Sequence, residues 1–316
     1  MNGEGHWQAY GLLVITTWCW GLNTIFSLLA VDEISPMQLV MFRWLGVILI
    51  LLAFARHHLI RDWPVLREHL VFFAIIGSLG FTIFNYLFYL AGHHTTALHI
   101  GILQGSVPVF VLLCSLIFLR IGATPVQAVG ILITLAGVLI IASEGNLREL
   151  LRLSINRGDI YVLIACFLYA VYSVALTRRP NVSVISLFTV MSIAAWLVSL
   201  PLLAFEVMNQ GWQTPTNRGW LIVVLITLLP SLLAQLLFMK SVALIGPNRA
   251  GVFINLVPVF AAIMAVLFLQ ENFEGYHAFS LLLVLGGISL SELGRRRKIE
   301  KILNNADEIP EIRSES

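Results

Sequence analysis

Charge is scarce in this sequence. Asp, Glu, Lys and Arg make up only 11% of its 316 residues, where a soluble domain carries about 25%. Apolar residues reach 59% and mean hydropathy is +0.90, so the composition excludes a water-soluble globule. The formal net charge of +2 is small and dispersed, which excludes nucleic acid as a partner. Cysteine is nearly absent: Cys19, Cys114 and Cys166 each stand alone in an apolar run, without disulfide or metal spacing, and read as small packing residues. The chain has no HExxH, GxSxG or Walker loop, so neither intramembrane nor ATP hydrolysis has its residues. The histidine pairs at 57–58 and 93–94 lack carboxylate or cysteine companions. An enzyme, a metal site and a cofactor are therefore not expected. The first apolar stretch lacks a basic flank and a small-residue cleavage site, and reads as a retained span.

What is present is a series of runs long enough to cross a bilayer, which takes about 20 mostly apolar residues. Ten are expected, at 7–30, 36–55, 69–91, 97–119, 125–142, 159–177, 183–206, 218–244, 249–269 and 276–293. The fold class is thus an all-α polytopic membrane protein with no soluble domain. In the longest connection, 143–158, Leu147, Leu150, Leu151 and Leu153 predict a surface-lying amphipathic helix. The segment 294–316 reads as a charged, disordered tail. With both termini in the cytoplasm, the inside loops hold Arg56, Arg61, Arg67, Arg120, Arg178, Arg179 and Arg249, followed by the basic run 295–298. The outside loops at 31–35 and 270–275 carry only acids; outside basic residues are Arg218 and, in the 143–158 connection that is the main exception, Arg148, Arg152 and Arg157.

The chain repeats itself at a shift of 150 residues. Leu87-Phe88 falls on Leu237-Phe238, Gly101 on Gly251, Val107-Pro108-Val109-Phe110 on Val257-Pro258-Val259-Phe260, and Gly137 on Gly287. Shared hydrophobicity does not make rare prolines and glycines coincide. The chain then divides into a five-span repeat at 7–142, a connecting segment at 143–158 and a second five-span repeat at 159–293. Because five is odd, the second repeat is inverted, an arrangement that transporters use to place a site between their halves. Pro108 and Pro258 deprive the carbonyls of Gln104 and Ile254 of a helical N–H. Gly101, Gly105 and Gly251 permit close helix approach beside these breaks, and the five residues read as a helix-break or gating set.

Polar residues within the spans obey the same symmetry. Asn23, Asn85 and Gln104 are expected in one half of the membrane and Tyr172, Gln235 and Asn255 in the other. Each alone reads equally well as interhelical glue. Trp20, Tyr86, Tyr89, Tyr169 and Trp18 lie deep enough to wall an apolar pocket, which suits a small organic solute better than an ion. Arg43 lies about 10 Å inside its span; it reads either as a partner for a substrate carboxylate or as a structural group held by backbone carbonyls. No acid occupies the middle of a span: Glu144, Asp159, Glu206 and Glu271 all sit at ends. A carboxylate proton relay has no owner, and His99 is the one candidate for proton coupling, a structural histidine being the alternative.

Ten spans in two inverted fives, Trp20-Gly21 with Asn23 in span one, Phe42-Arg43 in span two and the paired Pro-Val-Phe segments resemble the drug/metabolite transporter superfamily, in particular its EamA-type branch. That family commonly has Glu before the proline of span nine; here Val257 stands there. The resemblance implies a multi-pass permease of the bacterial inner membrane, often an exporter of amino acids or related metabolites, and it implies that Trp20, Asn23 and Arg43 line or support a central cavity. The expected function is a secondary transporter of small organic metabolites working by alternating access, as a monomer or homodimer in the lipid bilayer. An uptake permease, a channel or a receptor without carrier activity are the alternatives.

Overall fold

The computed structural model describes residues 3–120, 124–146 and 156–307, and these are helical with no strand among them. In chain order the helices are α1 Gly3–Leu29, α2 Pro36–Leu66, α3 Leu70–Gly77, α4 Phe84–Ala91, α5 Ala97–Leu103, α6 Val107–Phe118 and α7 Pro125–Ala142. The second series is α8 Arg157–Ala175, α9 Val184–Gln210, α10 Asn217–Ile226, α11 Ala234–Ile245, α12 Pro247–Phe253, α13 Val257–Leu269 and α14 Gly275–Asp307. Helix starts are written into the sequence. Ser35 and Thr124 close capping boxes with Gln38 and Gln127 ahead of a first-turn proline, and Thr96, Ser183 and Thr216 each accept an N–H three residues on. The expected amphipathic helix around Leu147 and Leu153 lies outside the described residues. The segment 294–307 is helical, where disorder was expected, because α14 continues to Asp307, and the rest of the expected tail lies outside the described residues. The run 295–307 is rich in Arg and Lys and includes Glu300, Leu303 and Ala306, all good helix formers, and contains no proline.

Nine helical runs among the described residues are long and apolar enough to cross a membrane. Eight coincide with expected spans. The ninth, Pro36–Ala91, is 56 residues long and covers the two expected at 36–55 and 69–91. This run is not straight. Arg43 hydrogen-bonds Asn85 and Tyr89, whereas in a straight helix residues 43 and 85 would stand about 63 Å apart at about 1.5 Å per residue. The chain doubles back around Pro64 and a 3₁₀ turn at Arg67–His69.

Irregular turns recur at matching places. A 3₁₀ turn covers Gln104–Ser106 and another Ile254–Leu256, at the 150-residue shift. The carbonyls deprived by Pro108 and Pro258 are satisfied there locally, by the N–H of Val107 and of Val257 respectively. Two π-helical turns, Ser78–Ile83 and Thr227–Leu233, form the second matching pair.

Packing partners match too: α1 lies against α11 and α13, and α8 against α4 and α6. One pair breaks the pattern. Helix α5 packs closely on α13, and a Cβ on Gly101 would come within 2.6 Å of the Ala261 Cβ. The corresponding helices α12 and α6 have no comparable packing. A Cβ on Gly251 would meet nothing within 4 Å, so the close approach expected there does not occur. Side chains and loops interlock at the end where α2, α5, α8, α10 and α14 begin. There Gln38 donates to the Gln213 carbonyl, the Thr216 N–H to the Glu33 carbonyl, and the Ala97 and Leu98 N–H groups to the Glu271 carboxylate. These ties join the two halves of the chain at this acid-rich end.

Candidate functional site

Arg43 lies between the two π turns with only 6% of its surface exposed. Its Nε donates to Ser231 Oγ at 2.6 Å, and its Nη1 donates to Asn85 Oδ1 and to the Tyr89 hydroxyl, both at 2.5 Å. The Tyr89 hydroxyl passes its own hydrogen to Asn23 Oδ1 at 3.0 Å, and Asn85 Nδ2 donates to the Phe81 carbonyl at 2.7 Å. The guanidinium also sits 4.9 Å from the centre of the Trp44 ring. The partners are side chains, where the sequence suggested backbone carbonyls. All are neutral: no Asp or Glu pairs with Arg43 among the described residues, and its Nη2 has no hydrogen bond there. A cation is costly to bury without a counter-charge. The cluster therefore holds a positive potential that a bound anionic group would neutralise.

The structure brings Asn23, Asn85 and Arg43 together, with Tyr89 joining them. Gln104 is close by on the α1 side, its Nε2 donating to Thr24 Oγ1 at 3.1 Å. Trp20 stands one turn before Asn23 and Thr24 on the same side of α1, donating to the carbonyl of Pro230, the neighbour of Ser231, at 3.2 Å and packing on Phe238. Tyr169 and Tyr172 lie 5.3 Å apart by ring centres and pack on Phe84 and Phe81; Tyr86 is half-buried beside the same core. Gln235 and Asn255 are half-buried with no side-chain hydrogen bond among the described residues. The amides of the first half are engaged, and their second-half counterparts are open. Of the break residues, Pro258 is buried 3.6 Å from the site of a Cβ on Gly105, while Pro108 is half-buried. Trp18 is turned outward rather than toward a pocket. Ser231 and Thr227 were not anticipated; Pro230 beside them was the available signal, a proline in an otherwise helical run.

A second polar cluster lies at the acid-rich end. His99 Nδ1 stands 3.0 Å from Asp159 Oδ2, with side-chain exposures of 5% and 0%, and Thr95 Oγ1 donates to Asp159 Oδ1 at 2.6 Å. His277 packs on His99 with ring centres 5.8 Å apart, and accepts the Glu274 N–H on Nδ1. A cavity of about 430 Å³ opens here, with His93, His99, Glu144, Glu274 and His277 among its lining. Burial pushes the His93 imidazole below its ordinary value, Asp32 opposing and His94 adding to the shift. The sequence put Asp159 at a span end and His99 alone. The 60 residues between them, across the two halves, hid the pair.

Comparison with known proteins gives these clusters a context. The profile of the EamA-like transporter family matches residues 7–143 and again 156–293. YetK, an uncharacterized transporter of Bacillus subtilis, is 25% identical over 80% of this chain and 76% of its own length. An uncharacterized transporter of Archaeoglobus fulgidus is 27% identical over 92% of this chain and 98% of its own. The uncharacterized inner membrane transporter YedA of Escherichia coli K12 is 26% identical over 90% and 91%. One solved crystal structure superposes with a TM-score of 0.59 at 17% identity, covering 94% of this chain and 99% of that one, which speaks for the fold alone. The doubled family match, the apolar spans and these relatives agree: the chain is a multi-pass membrane protein that belongs to the EamA-like transporter family.

Proposed function

We propose that this protein is a secondary carrier that exports a small organic metabolite, an amino acid or a related compound, by alternating access between two inverted five-span repeats. The observation that carries this reading is the asymmetry between equivalent parts. Gly101 packs on Ala261 while Gly251 faces open space, and Gln104 is hydrogen-bonded while Asn255 is not. Two halves with one sequence plan in two environments suit a carrier closed at one end and open at the other. The doubling back of Pro36–Ala91 supports ten spans rather than nine. Basic residues cluster in the loops of the open end, which supports placing it and both termini in the cytoplasm. A single chain contains both gates, so a monomer suffices, and a homodimer is compatible with it.

Substrate class follows from Arg43. A solute carboxylate placed at its Nη2 would neutralise the buried guanidinium, while Asn23, Asn85 and Gln104 on one side and Gln235 and Asn255 on the other supply hydrogen bonds. Trp20, Tyr86, Tyr169 and Tyr172 form the walls. The test is counterflow: liposomes holding the purified protein and unlabelled amino acids are offered a labelled amino acid. Saturable uptake, lowered at least several-fold in Gln104→Ala and Asn255→Ala, is expected. Normal transport by both variants would remove the cavity assignment, and flux without saturation would indicate a channel.

A further inference from the structure

We propose that His99 and Asp159 form a proton-operated latch that holds the acid-rich end of the carrier closed. The inference rests on the alternating-access reading above. The latch joins the two halves directly: His99 is in the first turn of α5, Asp159 in the first turn of α8, and both side chains are almost wholly buried. Thr95, at the foot of α5, donates to the same carboxylate, and Glu271 accepts the N–H groups of Ala97 and Leu98. Two carboxylates from the second half thus grip the start of one helix from the first. Of these contacts, only that of His99 involves an imidazole, which can take up a second proton on its free nitrogen.

The chemistry is a single proton transfer. With Nδ1–H directed at Asp159, the free lone pair of neutral His99 is on Nε2, which has no hydrogen bond among the described residues while His99 borders the cavity. A proton from water in that cavity forms an N–H bond at Nε2, and the pair passes from a net charge of −1 to 0. The Nδ1–H···Oδ2 bond becomes charge-assisted and so stronger. When this end opens, the imidazolium loses its partner and returns the proton to water. The charge-assisted bond exists only while this end is closed, so the closed fraction grows as pH falls and shrinks as pH rises.

The neighbouring groups permit this role. From α14, His277 meets His99 with a lone pair already used by the Glu274 N–H. Tyr276, from the same helix, presents a ring 6.4 Å away. Glu144, Glu271 and Glu274 border the cavity and favour a cation within it; His93 and His94 lie on its rim, and Arg157 is exposed at the start of α8. No Lys or Arg lines the cavity among the described residues.

Cys166 reports the state of the latch without requiring transport. It is fully buried between α8 and α5, its thiol facing the Leu103 carbonyl at 3.8 Å, and separation of α5 from α8 would expose it. In protein carrying Cys19→Ala and Cys114→Ala, Cys166 is labelled with a maleimide at pH 5.5, 6.5 and 7.5. Each rate is divided by that of the same thiol after unfolding, which cancels thiolate chemistry. The expected result is a normalised rate about three- to tenfold higher at pH 7.5 than at pH 5.5, and a flat profile in His99→Gln and in Asp159→Asn. A flat profile in the parent protein, or an unchanged slope in either folded variant, overturns the latch. If His99→Gln does not fold, Asp159→Asn decides. Absent counterflow would instead count against the carrier reading, since labelling does not depend on it.

Discussion

Arg43 is where single-residue chemistry is most exposed to test. Its planar fork reaches Ser231 through Nε and both Asn85 and Tyr89 through Nη1, a geometry that the point charge of lysine does not reproduce. Arg43→Lys is expected to keep the fold and lower counterflow at least tenfold, read beside a melting curve in detergent. Tyr89→Phe removes one acceptor from Arg43 and the donor to Asn23, and is expected to destabilise by about 1–3 kcal/mol. A melting temperature equal to that of the parent would mean that water replaces the hydroxyl. The sequence marked Arg43, Asn23 and Asn85 as polar groups too deep in their spans to be idle. It did not reveal their convergence, because residues 23, 43, 85 and 231 meet only after the run Pro36–Ala91 has folded back and the two halves have docked.

At the level of elements, some interruptions were legible and others were not. The 3₁₀ turns at Gln104–Ser106 and Ile254–Leu256 follow from Pro108 and Pro258, whose effect is local and chemical. The π turns at Ser78–Ile83 and Thr227–Leu233 share no signature, Pro230 marking only the second. Pro230 is present in one and Gly80 in the other, and what holds them is tertiary. Ser231 Oγ donates to the Ile226 carbonyl five residues back while accepting from Arg43 Nε, and Gly80 lies flat against the Tyr172 ring. Ser231→Ala is therefore expected to lower the melting temperature by a few degrees and to reduce transport together with it. Gly80→Ala would drive a methyl group into the Tyr172 ring, and should lower the yield of folded protein unless Tyr172→Ala is introduced with it. The continuation of α14 to Asp307 was misread because charge was taken for disorder, although the same residues are strong helix formers.

The molecule as a whole carries two matches to one family plan, and cross-half ties gather at its acid-rich end. Composition and periodicity located eight of the helical runs one by one and placed two separate spans, 36–55 and 69–91, within the ninth, Pro36–Ala91. The bare backbone at Gly251 has a kinetic consequence. Gly101 and Gly251 occupy equivalent places, and only the first is pressed against a neighbour, Ala261. In the opposite state of a symmetric cycle, Gly251 would take the pressed role against Val111, the counterpart of Ala261. On the proposed carrier reading, each glycine would set how long the protein dwells at one end. Gly251→Val should leave the present arrangement and its melting temperature unchanged while slowing the return stroke, so that counterflow falls about tenfold. Gly101→Val should shorten the stay at the closed end and speed labelling of Cys166. The timing of the cycle would then be set by two missing methyl groups.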